Sequence, residues 1–363
     1  MLAGRDDLLD EFGDGLDSAP GASARVTFYT GARGIGKTVM LNAVEDLARE
    51  RGWMVISETC SAGLVHRLVT QHLPPLIAEL GEGQPRRRLT AVTIPIVGGI
   101  EWENDHGTSS PDLRTLVTRL TDLLVEHGTG LLISIDEIHP SCSADLAEIA
   151  VVVQHAIREV RNIAFVGSAL QSSVEPLMSG DGTAFLRRAV WHELGRLNID
   201  DAEDAIRRPI QTHGRTISSS ALSQAAAFTE GYSFMVQLVG DLLWRNRPAV
   251  HEIEAADLQD IKPIAVRRMG TSVIAPELRG LTDIERSYLL AMARQGPPAS
   301  TREIASMLHV EKQYQQTYRA RLISKGIIQA SGRGHVEFTT PGMRQYILDH
   351  YSGPLPPRLA TSQ

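Results

Sequence analysis

Nine residues, TGARGIGKT from Thr30 to Thr38, constrain this chain more than any other stretch. Gly31, Gly36, Lys37 and Thr38 match the pattern G-x-x-x-x-G-K-[ST] without a departure, and Gly34 lies inside it. The apolar run VTFY precedes the loop. TVMLNAVEDLARERG follows it, with apolar residues at helical spacing as far as Gly52. A second apolar run, WMVISETC, comes next. Strand, glycine-rich turn, helix, strand is the order of a βαβ unit with a parallel sheet. Glycines let the backbone turn tightly and aim its N–H groups at phosphate oxygens. The helix that starts near Lys37 adds the positive end of its dipole. Lys37 can then reach the β and γ phosphates, and the Thr38 hydroxyl can ligate Mg2+.

A triphosphate site needs an acidic strand end as its second half. LLISIDEIH supplies one. Asp136 is expected in the Mg2+ shell. Glu137 is expected to orient and deprotonate an attacking water. The long separation between Lys37 and Asp136 is explained by an inserted hairpin over about residues 86–103, where two β-like runs flank Gly98-Gly99. Ser168 closes the apolar run IAFVGSAL and is either a γ-phosphate sensor or a strand-end cap. Arg187 and Arg188 precede a fifth strand near AVWHELGRL. One of them could stabilise transition-state charge on a neighbouring subunit. A solvated surface pair is the alternative.

The rest of the chain divides by texture. Residues 5–17 read as an acidic helix, and helices are expected over 62–80, 112–127 and 143–161. From Asn198 to about residue 270 the pattern is helical with no strand signal, and a linker is expected around 271–280. The sequence has 363 residues and a net charge of −7, which argues against a nucleic-acid glove over the whole surface and leaves room for one local basic face. Its N-terminus is no signal peptide, and no run of about 18 or more apolar residues predicts a membrane span. The two cysteines, Cys60 and Cys142, make no disulfide framework and no metal-ligand spacing, and the histidines form no evident zinc motif. A reducing, cytoplasmic setting is therefore expected.

GARGIGKT, LLISIDEIH, a polar strand end and a following helical lid, in this order, resemble an AAA+ ATPase. AGRDDLLDEF, DAIRRPI and GYSFMVQLVG are similar to stretches of the origin-recognition and archaeal-ATPase branch, which is close to the signal-transducing STAND ATPases. The resemblance spans nearly the whole chain. It implies an α/β fold: a three-layer αβα P-loop NTPase domain with a parallel sheet over 1–197, a helical lid over 198–270, a winged helix-turn-helix over 281–350 and a disordered tail over 351–363. It implies ATP and Mg2+ as cofactors and Gly4 and Arg5 near the adenine. The lid arginine that many AAA+ proteins direct at the γ-phosphate is missing from Gly231–Gly240, which favours slow or partner-gated hydrolysis. The direction of the extra cation Arg33 stays open.

In the C-terminal module, TREIASML and EKQYQQTYRARLISKG read as helix-turn-helix, and IIQA and HVEFTT around SGRG read as a wing. Tyr314, Tyr318 and Leu322 are expected to face the core. Lys312, Gln313, Gln316 and Arg319 then face outward, where Gln suits adenine and Arg guanine, and Arg333 suits a phosphate. Leu281–His350 carries nine Lys or Arg against six Asp or Glu, in a chain of negative net charge. That asymmetry favours DNA as the partner. A protein partner is the alternative, in a STAND-like switch for signalling, transcription or defence, and a homo-oligomer formed with ATP fits either reading.

Overall fold

The computed structural model describes residues 3–81, 112–179 and 184–351. The hairpin expected over about 86–103 and the tail beyond 351 lie outside the described residues. The chain separates into two compact units. One is Arg5–Thr30 with Lys37–Glu193; the other is Met1–Gly4, Gly31–Gly36 and Leu194–Gln363.

The first unit is built on a five-stranded sheet. Its strands are β1 (Val26–Gly31), β2 (Met54–Thr59), β3 (Leu131–Ile138), β4 (Ile163–Leu170) and β5 (Val190–Glu193), in the order β2-β3-β4-β1-β5. The pairs β2/β3, β3/β4 and β1/β5 are parallel, as the expected βαβ order requires. β1 is buried along its whole length and β4 along all but its last residue. Strands covered on both faces read as continuous apolar runs, which is why VTFY and IAFVGSAL were legible. The helices Lys37–Glu50, Leu113–Glu126 and Ser143–Arg158 follow successive strands or precede them. Asp112 caps the second of these by accepting from the Thr115 N–H at 2.8 Å. Phe28, Ile56, Leu120, Ile133, Ile135, Ile149, Val153 and Phe165 lie in one core cluster. A further helix, Gln171–Ser179, lies between β4 and β5.

Arg25 is the largest fully buried side chain in this unit, and periodicity gave no sign of it. It donates to Gly15 O at 2.8 Å, Leu16 O at 2.9 Å, Ser18 O and Asn162 Oδ1 at 2.7 Å, and lies over the Trp53 ring. It thus satisfies carbonyls at the end of the helix Asp6–Asp17 and ties that helix to the sheet.

The expectation that the cysteines stay unpaired fails. Cys60 and Cys142 are joined in a disulfide, with Cα atoms 6.3 Å apart. Their sequence separation of 82 hid the pairing. β2 and β3 are neighbours in register, so the residue after β2 meets the turn Pro140–Cys142 after β3. Cysteine usage therefore no longer argues for a reducing compartment.

The second unit is mainly helical. The helices Ile199–Thr212, Ser219–Thr229, Ser233–Arg245 and Ala255–Met269 match the expected helical region. The lack of strand signal there was misleading. β6 (Thr216–Ile217) pairs in parallel with β7 (Glu252–Ile253), and runs of two residues are too short to show a period. The expected linker at 271–280 is also helical, over Gly270–Ile274 and Ala275–Arg279. Beyond it come Asp283–Gln295, β8 (Ala299–Ser300), Thr301–Leu308, Lys312–Ser324, β9 (Ile328–Ala330), β10 (His335–Phe338) and Met343–His350. The three strands form an antiparallel sheet in the order β8-β10-β9.

Glu285 anchors this C-terminal part. It completes a capping box with Thr282 and takes two 2.8 Å contacts from Lys325 Nζ. Burial works against its charge, but the bonds from Lys325 and Thr282 prevail and hold its pKa below the ordinary value. The face assigned to Lys312–Ser324 needs one correction. Leu322 is buried, but Tyr314 is 50% exposed. Gln315 takes the inward place instead, donating to Tyr288 Oη at 3.1 Å in the core. A paired glutamine can occupy a buried position that an apolar pattern would not assign to it.

Candidate nucleotide site

The loop after β1 turns at Gly34 (φ 71°) and Gly36 (φ 97°), left-handed conformations that favour glycine. A Cβ on Gly34 would also collide with Tyr232 Oη. Three consecutive loop carbonyls are taken by residues at the start of Ser233–Arg245. Tyr232 Oη donates to Arg33 O at 2.5 Å, the Phe234 N–H to Gly34 O at 3.0 Å, and Ser233 Oγ to Ile35 O at 2.8 Å. In a trans peptide the N–H points opposite to the C=O. The N–H groups of Gly34, Ile35 and Gly36 are therefore directed to the other side of the loop, as a phosphate cradle requires. The chain then enters the helix Lys37–Glu50, placing Lys37 and Thr38 in its first turn.

The acidic half is assembled at the end of β3. The β3/β4 register shifts between Ile135 and Ile138, and Glu137 sits in the left-handed region at φ 54°. Such a conformation is unfavourable for a non-glycine residue and is held only where the surroundings impose it. Asp136 Oδ2 accepts from Thr38 Oγ1 at 2.7 Å. Asp136 Oδ1 accepts from the Glu137 N–H at 2.8 Å and from Ser168 Oγ. Thr38 and Asp136 thus present two hard oxygens side by side, the donor type that Mg2+ takes. Glu137 is exposed beside them.

Ser168 is fully buried, and its hydroxyl also accepts from the Glu137 N–H at 3.2 Å. It therefore holds the acidic strand end in place. Arg187 and Arg188 are exposed on a short 3-10 turn, Ala184–Arg188, and Arg187 Nε donates to Met178 O at 2.9 Å. Arg5 is buried, and burial pulls its pKa below the ordinary value. Gly4 has φ 64° and packs against the Asp201 side chain.

Sequence reasoning missed Glu277. It lies half-buried on Ala275–Arg279 and accepts from Thr340 Oγ1 at 3.2 Å. Burial pushes its pKa up to about 7, against the hydrogen bond from Thr340 and the charge of Arg33. Burial and the Glu277 charge likewise raise the Tyr232 phenol. The Arg33 charge lowers the pKa of both Glu277 and Tyr232, in each case against the larger effect of burial. A lone glutamate in a presumed linker carries no motif that could have revealed this. On the helix Lys312–Ser324, Gln313 and Gln316 are exposed and Arg319 is half-buried, and Arg333 is exposed on the turn between β9 and β10. Lys312 opens that helix.

A parallel five-stranded sheet with surrounding helices, a glycine loop after β1 and an acidic end on β3 define a P-loop NTPase fold with a helical C-terminal region. Comparison with known proteins agrees. Residues 1–166 match the family described as AAA ATPase domain. Residues 271–347 match a domain of unknown function (DUF8462). The Walker-type ATPase PABY2304 of Pyrococcus abyssi is similar in structure, with a TM-score of 0.66 at 14% identity over 96% of each chain. The RuvB Holliday junction branch migration motor of Thermotoga maritima gives a TM-score of 0.47 at 16% identity over 92% of each chain. Orc1 of Aeropyrum pernix, solved in complex with DNA, gives 0.44 at 17% identity over 97% of this chain and 94% of its own. A search of curated protein sequences returned no match.

Proposed function

We propose that this chain binds and hydrolyses ATP and uses the nucleotide as a switch on DNA binding by its C-terminal winged helix, in the manner of an initiator or loader. The observation that carries the reading is the convergence of Thr38, Ser168 and the Glu137 N–H on the Asp136 carboxylate. The loop N–H groups and Lys37 hold the phosphates. Thr38 and Asp136 hold Mg2+, which supplies charge neutralisation on the phosphates. Glu137, set beside them by its strained backbone, orients the attacking water and accepts its proton. Ser168 positions Asp136, and Arg5 lies toward the base. Arg187 or Arg188 serves a neighbouring subunit if the chain assembles.

The switch follows from the loop's other side. Its carbonyls are bonded to Tyr232, Ser233 and Phe234, so phosphates on the N–H side and the lid on the carbonyl side favour the same loop conformation. A nucleotide shifts the lid equilibrium only as far as it prefers one lid position. DNA contact falls to Lys312, Gln313, Gln316, Arg319 and Arg333. ATP as substrate places the protein in the cytoplasm. Among the described residues no helix is long and apolar enough to cross a membrane.

A STAND-like regulatory ATPase that docks a protein partner is the second reading. The absence of arginine from Gly231–Gly240 favours it, because it predicts slow hydrolysis that only resets the switch. Glu137→Gln tests the shared core. Calorimetry is expected to show ATP binding retained, while phosphate release falls by about 100-fold or more. Undiminished release would remove Glu137 from the chemistry.

A further inference from the structure

Cys60, His139 and Cys142 offer two sulfurs and one ring nitrogen that all lie within 4.8 Å of one another. Both cysteines are buried and His139 is half-buried. The cluster is braced on each side. The Cys60 N–H donates to Asp136 O at 2.9 Å, and the Leu64 N–H donates to Asp145 Oδ2 at 2.9 Å. These bonds fix the segment after β2 against the segment after β3. Within the second segment, the Cys142 N–H donates to His139 O at 3.1 Å, closing the turn. Ser141 Oγ lies 2.7 Å from His139 Nδ1 and orients the ring, the kind of outer contact that metal-binding histidines use.

We propose that the reduced form of this cluster is a binding site for a soft divalent cation of the zinc class, and that the disulfide is its closed form. Thiolate and imidazole together select zinc over magnesium or calcium, which take oxygen ligands. Three protein ligands leave a fourth tetrahedral position for water or another ligand, and His139 is the least buried of the three. The same backbone serves both forms, because the sulfurs already meet in the disulfide. Binding releases one proton from each thiol. Closing the site with hydrogen peroxide balances as follows. Two thiolates give two electrons to the peroxide, an S–S bond forms, the O–O bond breaks, two protons are taken up, two waters leave and the ion is released. The bound ion clamps the carboxyl ends of β2 and β3. The proposal does not depend on ATP hydrolysis.

Co2+ is the probe. Added to the full chain after reduction by a phosphine and its removal, it is expected to give a thiolate-to-metal charge-transfer band that saturates at one ion per chain. Zn2+ should displace it and Mg2+ should not. Cys60→Ser and Cys142→Ser should each weaken Co2+ binding by more than about 100-fold, beyond the usual effect of an outer contact. His139→Ala should weaken it while keeping the charge-transfer band. Should a variant fail to fold, alkylation of the wild-type chain decides. Zn2+ must slow the modification of both thiols together. No charge-transfer band, a band that survives in folded Cys142→Ser, or thiols that Zn2+ does not protect would each overturn the proposal.

Discussion

At the end of β3 the Asp136 carboxylate accepts three hydrogen bonds, from Thr38, Ser168 and the Glu137 N–H. On the helix Lys312–Ser324, Gln313 and Gln316 stand in solvent. The first region is held by hydrogen bonds within the chain, the kind of preorganisation that the proposed chemistry would use. The second is a surface whose donors can turn to suit a partner, and its anchors, Gln315 and Leu322, point the other way. The difference teaches what each proposed role would draw on: built geometry at β3, and exposed side chains at the helix.

Lys37→Ala should have the largest effect. Loss of a charge-assisted contact to phosphate is worth about 1.5–3 kcal/mol, and the vacated cradle adds to it, so ATP affinity should fall by about 100-fold or more by calorimetry. Unchanged affinity would break the comparison on its better-defined side. Ser168→Ala probes the fixed geometry itself. Removing one donor, the buried Ser168 hydroxyl, from the half-buried carboxylate should cost about 1–3 kcal/mol, read as a lower melting temperature, and should slow phosphate release as well. A variant with both unchanged would mean that Asp136 is not held by Ser168.

The contrast also explains what could be read from sequence. The glycine loop and the D-E pair were legible as residue patterns of fixed spacing, and the structure brings Thr38, Asp136 and the Glu137 N–H together; their contact with phosphate and Mg2+ is part of the proposed function. The central strands β1, β3 and β4 were legible because parallel strands covered on both faces are apolar throughout; the edge strands β2 and β5 are only partly buried. Arg25, Glu277 and the Cys60–Cys142 pair were not legible. Each depends on partners brought together by the fold, across 82 residues in the case of the cysteines. Tyr314 was misplaced because a buried glutamine with a bonding partner breaks the rule that apolar residues mark the inner face.

Two smaller effects sharpen the comparison. Arg319→Ala should weaken DNA binding by about tenfold at low salt, equivalent to ~1.4 kcal/mol, and relax base preference at one position. Because the residue is half-buried, the melting temperature should be measured alongside, and a loss of affinity larger than any loss of stability is the expected result. Glu277 gives the smallest effect, on pH dependence. Its folded-state pKa of about 7 lies above the ordinary 4.5, so the unfolded chain releases this proton first as pH rises. Stability from this group is therefore full below about pH 4.5 and declines through about 7. Glu277→Gln should flatten that decline, read from the pH dependence of the melting temperature. A wild-type melting profile that already lacks the decline would contradict the burial assigned to this carboxyl.

The central claim is that nucleotide at the fixed region controls the adaptable one. Its most direct test is DNA affinity of the wild-type chain, measured against salt concentration with ATP, with ADP and with neither. The account predicts binding at low salt, a linear fall of log affinity with log salt, and a different affinity in the ATP state. Absence of DNA binding at low salt, or one affinity in all three nucleotide states, would contradict it.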